Sequence, residues 1–302
     1  MSYLYRQDRI TNICNDWGME KVHDLMASWP IPQKKNKHFL LSVKSYISKA
    51  LDIFPYEDDH AFVKAVDAAR ENRKNITPNG AVVPKKEYLL EYNILLREWT
   101  SLINIMTRNN PKLLSLFRLT PNIRIKFAKE LEENIDRELN TSYPHSDAWV
   151  EGPWGMNTFV PLFGDTENNT LLYYQPIDKS KFSEDYLATA KTYQEMQWVL
   201  ERYEKIEDIV PQKGKIYISD YAMIHNTERK ENAGTRISID TTVFVGNHQP
   251  HQDRLTEYSD KPPAFGTEEI INVFKSEHDD VNQKKTTFSH YTSGSTKRIS
   301  LK

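Results

Sequence analysis

The sequence predicts an α+β protein whose strands are antiparallel, in a jelly roll or a barrel, and three observations lead there. Apolar residues recur at helical spacing through roughly the first 139 positions. From about residue 140 the chain turns to short runs rich in Val, Ile, Thr, Phe and Tyr, broken by Gly, Pro and Asn. These strand-like runs cluster instead of alternating with helices, which argues against βαβ units.

The elements follow in order. Residues 57–72 set Phe62, Val63, Val66 and Ala69 on one helical face, with Asp58 or Asp59 as a cap. Residues 85–117 carry a broad apolar face (Leu89, Tyr92, Leu95, Leu96, Trp99, Leu102, Ile103), which Pro111 breaks or ends. A third helical pattern covers 126–139, where Phe127, Leu131, Ile135 and Leu139 are spaced four apart. Strands are predicted at 156–163, 170–175, 214–219 and 235–245, interrupted by one helix at about 184–206. Beyond residue 247 the chain is polar and charged, which predicts a poorly ordered extension. The expected organisation is one domain over 1–302. It comprises a mainly helical part (1–139), a strand-rich core (140–246) and a polar C-terminal extension (247–302).

Composition narrows the function. Among 302 residues, 40 basic side chains meet 42 acidic ones, so the electrostatic footprint of a general nucleic-acid binder is missing. Aromatics at 11% supply enough material for a packed core and argue against disorder. A single cysteine, Cys14, excludes an internal disulfide and a thiolate metal cluster, and reads as a small apolar residue. No apolar run approaches the roughly 18 residues of a membrane span, and no basic-then-apolar leader opens the chain. The expectation is a cytoplasmic protein that binds neither membrane nor nucleic acid. Any metal it holds must sit on His, Asp or Glu.

Three positions stand apart: His145, Asp147 and His225. In His145-Ser146-Asp147 the imidazole and carboxylate are two apart, so on an extended backbone they point the same way and can take adjacent positions on one ion. His225 follows a strand-like run, Gly214 to Asp220. Two histidines and one carboxylate on one face of a metal are the ligand set of non-haem iron(II) oxygenases. The competing reading of the triplet is a surface turn in which Asp147 bonds its own backbone. Further on, Arg236-Ile237-Ser238-Ile239-Asp240 alternates, with Ile237, Ile239 and Val243 on one face and Arg236, Ser238 and Asp240 on the other. A buried Arg236 needs an anion, and its planar fork suits a carboxylate; on a solvated sheet face it needs none.

Taken together, His145-Ser146-Asp147-Ala148-Trp149, Asn157-Thr158-Phe159-Val160-Pro161-Leu162 and Gly214…Asp220…His225-Asn226…Asn232…Arg236-Ile237-Ser238-Ile239-Asp240 resemble the iron(II)/2-oxoglutarate-dependent dioxygenases. The likeness is to the streptomycin-biosynthesis dioxygenase-like branch, related to the phytanoyl-CoA hydroxylases, and spans roughly residues 140–246. It implies a double-stranded β-helix (jelly roll) with the helical N-terminal part packed on its outside. It also implies that His145, Asp147 and His225 hold Fe(II), and that Arg236, helped by Ser238, grips the distal carboxylate of 2-oxoglutarate. Asn157 matches a polar position that touches the cosubstrate, or else is an amide satisfying backbone groups.

The implied reaction consumes dioxygen and 2-oxoglutarate, releases succinate and CO2, and hydroxylates a small molecule, carbohydrate-related or a secondary metabolite. Asp147 is the carboxylate that halogenating relatives lack, which favours hydroxylation, desaturation or cyclisation. Trp149, Trp154, Tyr173 and Tyr174 are either core or a substrate wall. The helical part exceeds what sheet support needs and offers a homodimer face or one side of the pocket. Two other functions stay open: a cupin-like metal enzyme that does not use 2-oxoglutarate, and a non-catalytic jelly-roll binding protein.

Overall fold

Every strand pairing among the described residues is antiparallel. The computed structural model describes residues 3–71, 75–77, 79–118, 120–128, 143–183, 197–259, 269–271 and 298–300. Its elements are α1 (Tyr3–Trp17), β1 (Glu20–His23), β2 (Met26–Pro30), α2 (Gln33–Leu51), α3 (Asp59–Ala68) and α4 (Leu89–Met106). Then come β3 (Leu114–Arg118), β4 (Asn122–Lys126), α5 (Ala148–Glu151), β5 (Met156–Gly164) and β6 (Asn169–Pro176). The chain continues through β7 (Tyr203–Ile206), β8 (Lys215–Asp220), β9 (Ile224–Arg229), β10 (Arg236–Val245) and β11 (Tyr258–Ser259).

Two sheets result. The larger runs β1-β2-β8-β5-β10-β3-β11, with β4 also on β10; the smaller is β7-β6-β9. β3 and β4 lie end to end along β10, β4 against Arg236–Asp240 and β3 against Val243–Val245. Mixed helix and antiparallel sheet is the predicted class, and strands 156–163, 170–175, 214–219 and 235–245 form within one residue of the expected limits.

The alternation expected in β10 decides its packing. Ile237, Ile239, Val243 and Val245 join the apolar cluster that α1, α2, α3 and α4 complete on one side of the large sheet. Each such buried aliphatic contributes about 1.5–3 kcal/mol on removal from water. On the other side, Phe159, Leu171, Tyr173, Tyr217, Tyr221 and Met223 form a second cluster joining the two sheets. The helices therefore cover one face of the large sheet, and the small sheet covers part of the other.

The structure corrects several boundaries. The first 139 residues are not only helical, because β1, β2, β3 and β4 extend the large sheet. The expected 85–117 helix ends at Met106, and Pro111 opens a short turn before β3. The expected helix at 126–139 does not begin as predicted: residues 122–126 are β4, where Ile123 and Ile125 face the helical core in strand alternation. Residues 129–142 lie outside the described set. Of the 184–206 helix, Gln197–Arg202 is helical and 203–206 is β7, with 184–196 outside the described residues. The cap of α3 is Asp58, whose carboxylate accepts from Ala61 N at 2.7 Å. The extension stays structured to Ser259, where β11 pairs with β3, and Glu269–Ile271 pairs with Arg298–Ser300. The remainder of 260–302 lies outside the described residues.

Gly164 ends β5 opposite Arg236 with φ +80°, and a Cβ there would sit 1.9 Å from the Thr235 carbonyl oxygen. Gly164→Ala is expected to cost about 2–4 kcal/mol through strain and clash. Urea denaturation reads this as a lower midpoint; an unchanged midpoint contradicts it.

Candidate metal centre

Two segments 80 residues apart meet through one antiparallel bridge. His145 N donates to His225 O and His225 N donates to His145 O, each at 3.0 Å. The bridge sets the two imidazoles side by side, with ring centroids 4.6 Å apart. Asp147 enters α5 and turns its carboxylate toward both. Oδ1 is 3.9 Å from His145 Nε2, and Oδ2 is 3.9 Å from His225 Nε2. Those separations are too long for hydrogen bonds, so the donors converge on a shared space without bonding one another. One ligand atom from each of the three residues lies within 4.8 Å of the others. Asp147 remains about a third exposed, which leaves the cluster open on one side.

Hydrogen bonding and burial set how the imidazoles face that space. His145 Nδ1 lies 2.8 Å from the Tyr143 carbonyl, which can only accept. Nδ1 therefore carries a proton, and Nε2 is the nitrogen turned toward Asp147. Burial, and next the neighbouring His145, push the His225 imidazole down to about 4, so it is neutral at pH 7. Asp147 has no Lys or Arg within 4.0 Å among the described residues; its Oδ2 accepts from Asn157 Nδ2 at 3.3 Å.

Arg236 lies on the face of β10 that looks toward the small sheet. It is 1% exposed, and its Nη1 donates to a carbonyl, Asn169 O, at 3.2 Å, with no carboxylate in reach among the described residues. Its guanidinium lies 5.4 Å from the centre of the Phe159 ring, and its Nε has no acceptor. Burial lowers it to about 10, with Tyr173 and Asp240 countering, so it stays charged at neutral pH. Ser238 Oγ, on the same face, is buried without a partner. Asp240 is satisfied by Arg124 and by Asn122 Nδ2.

The structure thus brings His145, Asp147 and His225 into one cluster, with Asn157 beside it, and places Arg236 and Ser238 on the adjoining strand. Asn157 meets Asp147 directly, while its Oδ1 is buried with no partner. Tyr173 is both core and site: its ring centroid is 6.4 Å from that of His225, and its buried hydroxyl has no partner. Tyr174 points to the opposite face and is half-buried. Trp154 stacks on His248 at 4.4 Å, away from the cluster; the side chain of Trp149 is not among those described. Sequence reading missed Lys126, the cross-strand neighbour of Arg236, whose ammonium burial and the adjacent Arg124 hold far below its usual range. Its five-residue strand had no turn residues to mark it off from the apolar pattern that follows.

No family model matches the chain, and no curated protein matches it. Among solved structures, it is similar to an N-substituted L-amino acid dioxygenase from Burkholderia ambifaria AMMD. Identity there is 12%, coverage is 81% of this chain and 89% of that one, and the TM-score is 0.40. A non-heme alpha-ketoglutarate-dependent epimerase, SnoN of nogalamycin biosynthesis, is 11% identical over 87% of this chain and 92% of that one, with a TM-score of 0.37. A 2OG-Fe(II) oxygenase family oxidoreductase from Burkholderia pseudomallei is 11% identical, covering 82% and 80%, with a TM-score of 0.31. Scores and identities this low are a likeness in outline, and no residue role is taken from them.

The depressed His225 has a consequence for the metal-free protein. Its folded value near 4 lies below the unfolded value of about 6.5, so the unfolded state takes up the proton first as pH falls. Stability is full above about pH 6.5 and declines toward pH 4. His248, also near 4 through burial, adds to the slope. Urea unfolding at pH 7 and at pH 4.5 should differ, and His225→Gln should reduce the difference; an identical slope in that variant contradicts the assignment.

Proposed function

We propose that this chain is a non-haem Fe(II)/2-oxoglutarate-dependent oxygenase acting on a small molecule, its two sheets forming a double-stranded β-helix (jelly roll). One observation carries the reading. A cluster of two imidazoles and one carboxylate, and a buried arginine with no carboxylate in reach among the described residues, both neighbour Tyr173. The Tyr173 ring centroid is 6.4 Å from that of His225, and its hydroxyl feels the Arg236 charge. Either half alone has ordinary explanations; the pair matches what a metal and a dicarboxylate require together.

The donor set fits the metal. All-nitrogen-and-oxygen ligands with open positions suit iron(II), and no thiolate is at hand to favour a softer ion. When bound, iron(II) supplies the dioxygen-dependent redox chemistry that couples decarboxylation of 2-oxoglutarate to oxidation of a substrate. The chain's own part is binding and orientation. The Tyr143 carbonyl keeps the His145 proton on Nδ1. Asn157 holds one oxygen of Asp147 and restrains the rotation of its carboxylate. Arg236 receives the distal carboxylate of 2-oxoglutarate, which ends the isolation of a charge buried without an anion. Ser238 Oγ and Tyr173 OH, both buried without partners, can donate to the same group. Phe159, beneath the guanidinium, keeps that pocket dry.

Anaerobic addition of Fe(II) and 2-oxoglutarate should give a weak visible charge-transfer band, and Asp147→Ala should abolish it. Bound iron with folded protein and no band contradicts the cosubstrate assignment. Arg236→Ala should weaken 2-oxoglutarate binding by about 100-fold or more, as expected for a desolvated charge pair, while sparing metal affinity. Unchanged 2-oxoglutarate affinity would favour a cupin-like metal enzyme instead. Succinate release in air, detected during a substrate screen, separates an enzyme from a binding protein.

A further inference from the structure

Away from the cluster, α1 sends two arginines into the protein. Arg6 Nη1 donates to Asp220 Oδ1 at 2.7 Å and to Pro153 O at 2.9 Å. Arg9 Nη1 donates to Asp220 Oδ2 at 2.9 Å, and its Nη2 to Trp154 O at 2.9 Å. The carboxylate of Asp220 and the side chain of Arg6 are fully buried, and Arg9 is nearly so. Asp220 Oδ1 also accepts from Ala222 N at 2.8 Å. The face of Trp154 closes the group, 4.1 Å from the Arg6 guanidinium and 5.3 Å from that of Arg9.

Stability alone is a poor reason for such a group. Desolvating three charges costs as much as their attraction returns, and apolar side chains of similar volume pack as well or better. What the group does is join three segments. Asp220 ends β8, five residues before His225; Pro153 and Trp154 follow Asp147 by six and seven residues. The turn between Asp220 and His225 also reaches the other arm. Ser146 Oγ, between His145 and Asp147, donates to Tyr221 O at 2.9 Å, and Tyr221 N donates to Gly155 O at 3.3 Å. The arm bearing His145 and Asp147 and the arm bearing His225 are both fastened to one carboxylate and its two arginines.

We infer that the Arg6–Asp220–Arg9 group is a positioning device for the metal cluster, holding the two ligand-bearing arms at the separation the three donors need before an ion binds. None of its side chains touches the donor atoms, so its effect is on affinity and ligand geometry. The inference rests on the metal reading proposed above.

The test uses anaerobic Co(II) titration of the full chain, following the visible d–d band, with far-UV circular dichroism and urea unfolding alongside. Wild type should bind Co(II) and Asp147→Ala should not, which establishes the metal site independently of the arginines. If wild type binds no Co(II), the metal reading falls and the positioning role with it. Arg9→Gln keeps the Arg6–Asp220 pair, and should fold yet bind Co(II) about 10–100-fold more weakly with an altered band, the range for residues that orient metal ligands. Arg9→Lys should recover part of the affinity. The triple variant R6M/R9M/D220L removes the charges while filling the space, and should stay folded with the same loss. Wild-type affinity and band in folded Arg9→Gln or in the folded triple variant overturn the inference. So does unfolding of both, which would make the group a stability element.

Discussion

The site depends on a pair of backbone hydrogen bonds. The mutual 3.0 Å bonds between His145 and His225 bring two distant segments into register, and a slip of one residue would turn one imidazole to the opposite face. Everything around the cluster follows from that register. The Tyr143 carbonyl comes level with Nδ1 of His145, and Asp147 falls between the two Nε2 atoms. A bridge of one residue pair is weak in isolation, which is why the segments on either side of it are held elsewhere. Ser146 is tied to Tyr221, and β9 is paired along its length with β6.

The second constraint is electrostatic. β10 places its aliphatic residues on the helix side and Arg236, Ser238 and Asp240 on the side facing the small sheet. Asp240 is neutralised by Arg124, but Arg236, behind Phe159, meets only a carbonyl. A guanidinium in that state lacks a counter-charge, and the proposed dicarboxylate would supply one that fits its fork.

The strands nearest the site were readable because their alternation is strong. β5, β6, β8 and β10 each combine β-branched or aromatic residues with clear boundaries, and the ligand spacing His-x-Asp lies on a single short segment. The others carry weaker local patterns. β4, Asn122-Ile123-Arg124-Ile125-Lys126, has only two apolar residues and runs straight into an apolar repeat spaced four apart, so the reading assigned it no strand and began a helix at its last residue, where pairing with β10 decides the fold. β9 carries polar residues on both faces, and only its partners make it a strand. Of the site, His145, Asp147, His225, Arg236 and Ser238 were visible as a pattern. The role of Asn157 against Asp147 and the unpartnered Tyr173 hydroxyl depend on how β5 and β6 are placed, which no spacing encodes. Arg6 and Arg9 are a stronger case. On α1 they look like solvent-facing helix residues, and their partner Asp220 lies more than 200 positions away.

The central claim is that one inter-sheet space takes both a metal and a dicarboxylate. An anaerobic crystal structure with Fe(II) and 2-oxoglutarate tests it most directly. The account predicts one ion coordinated by His145 Nε2, a carboxylate oxygen of Asp147 and His225 Nε2, with the 2-oxo acid end of the cosubstrate on that ion and its far carboxylate on Arg236. An ion held by other residues, or 2-oxoglutarate bound with Arg236 left untouched, would contradict it.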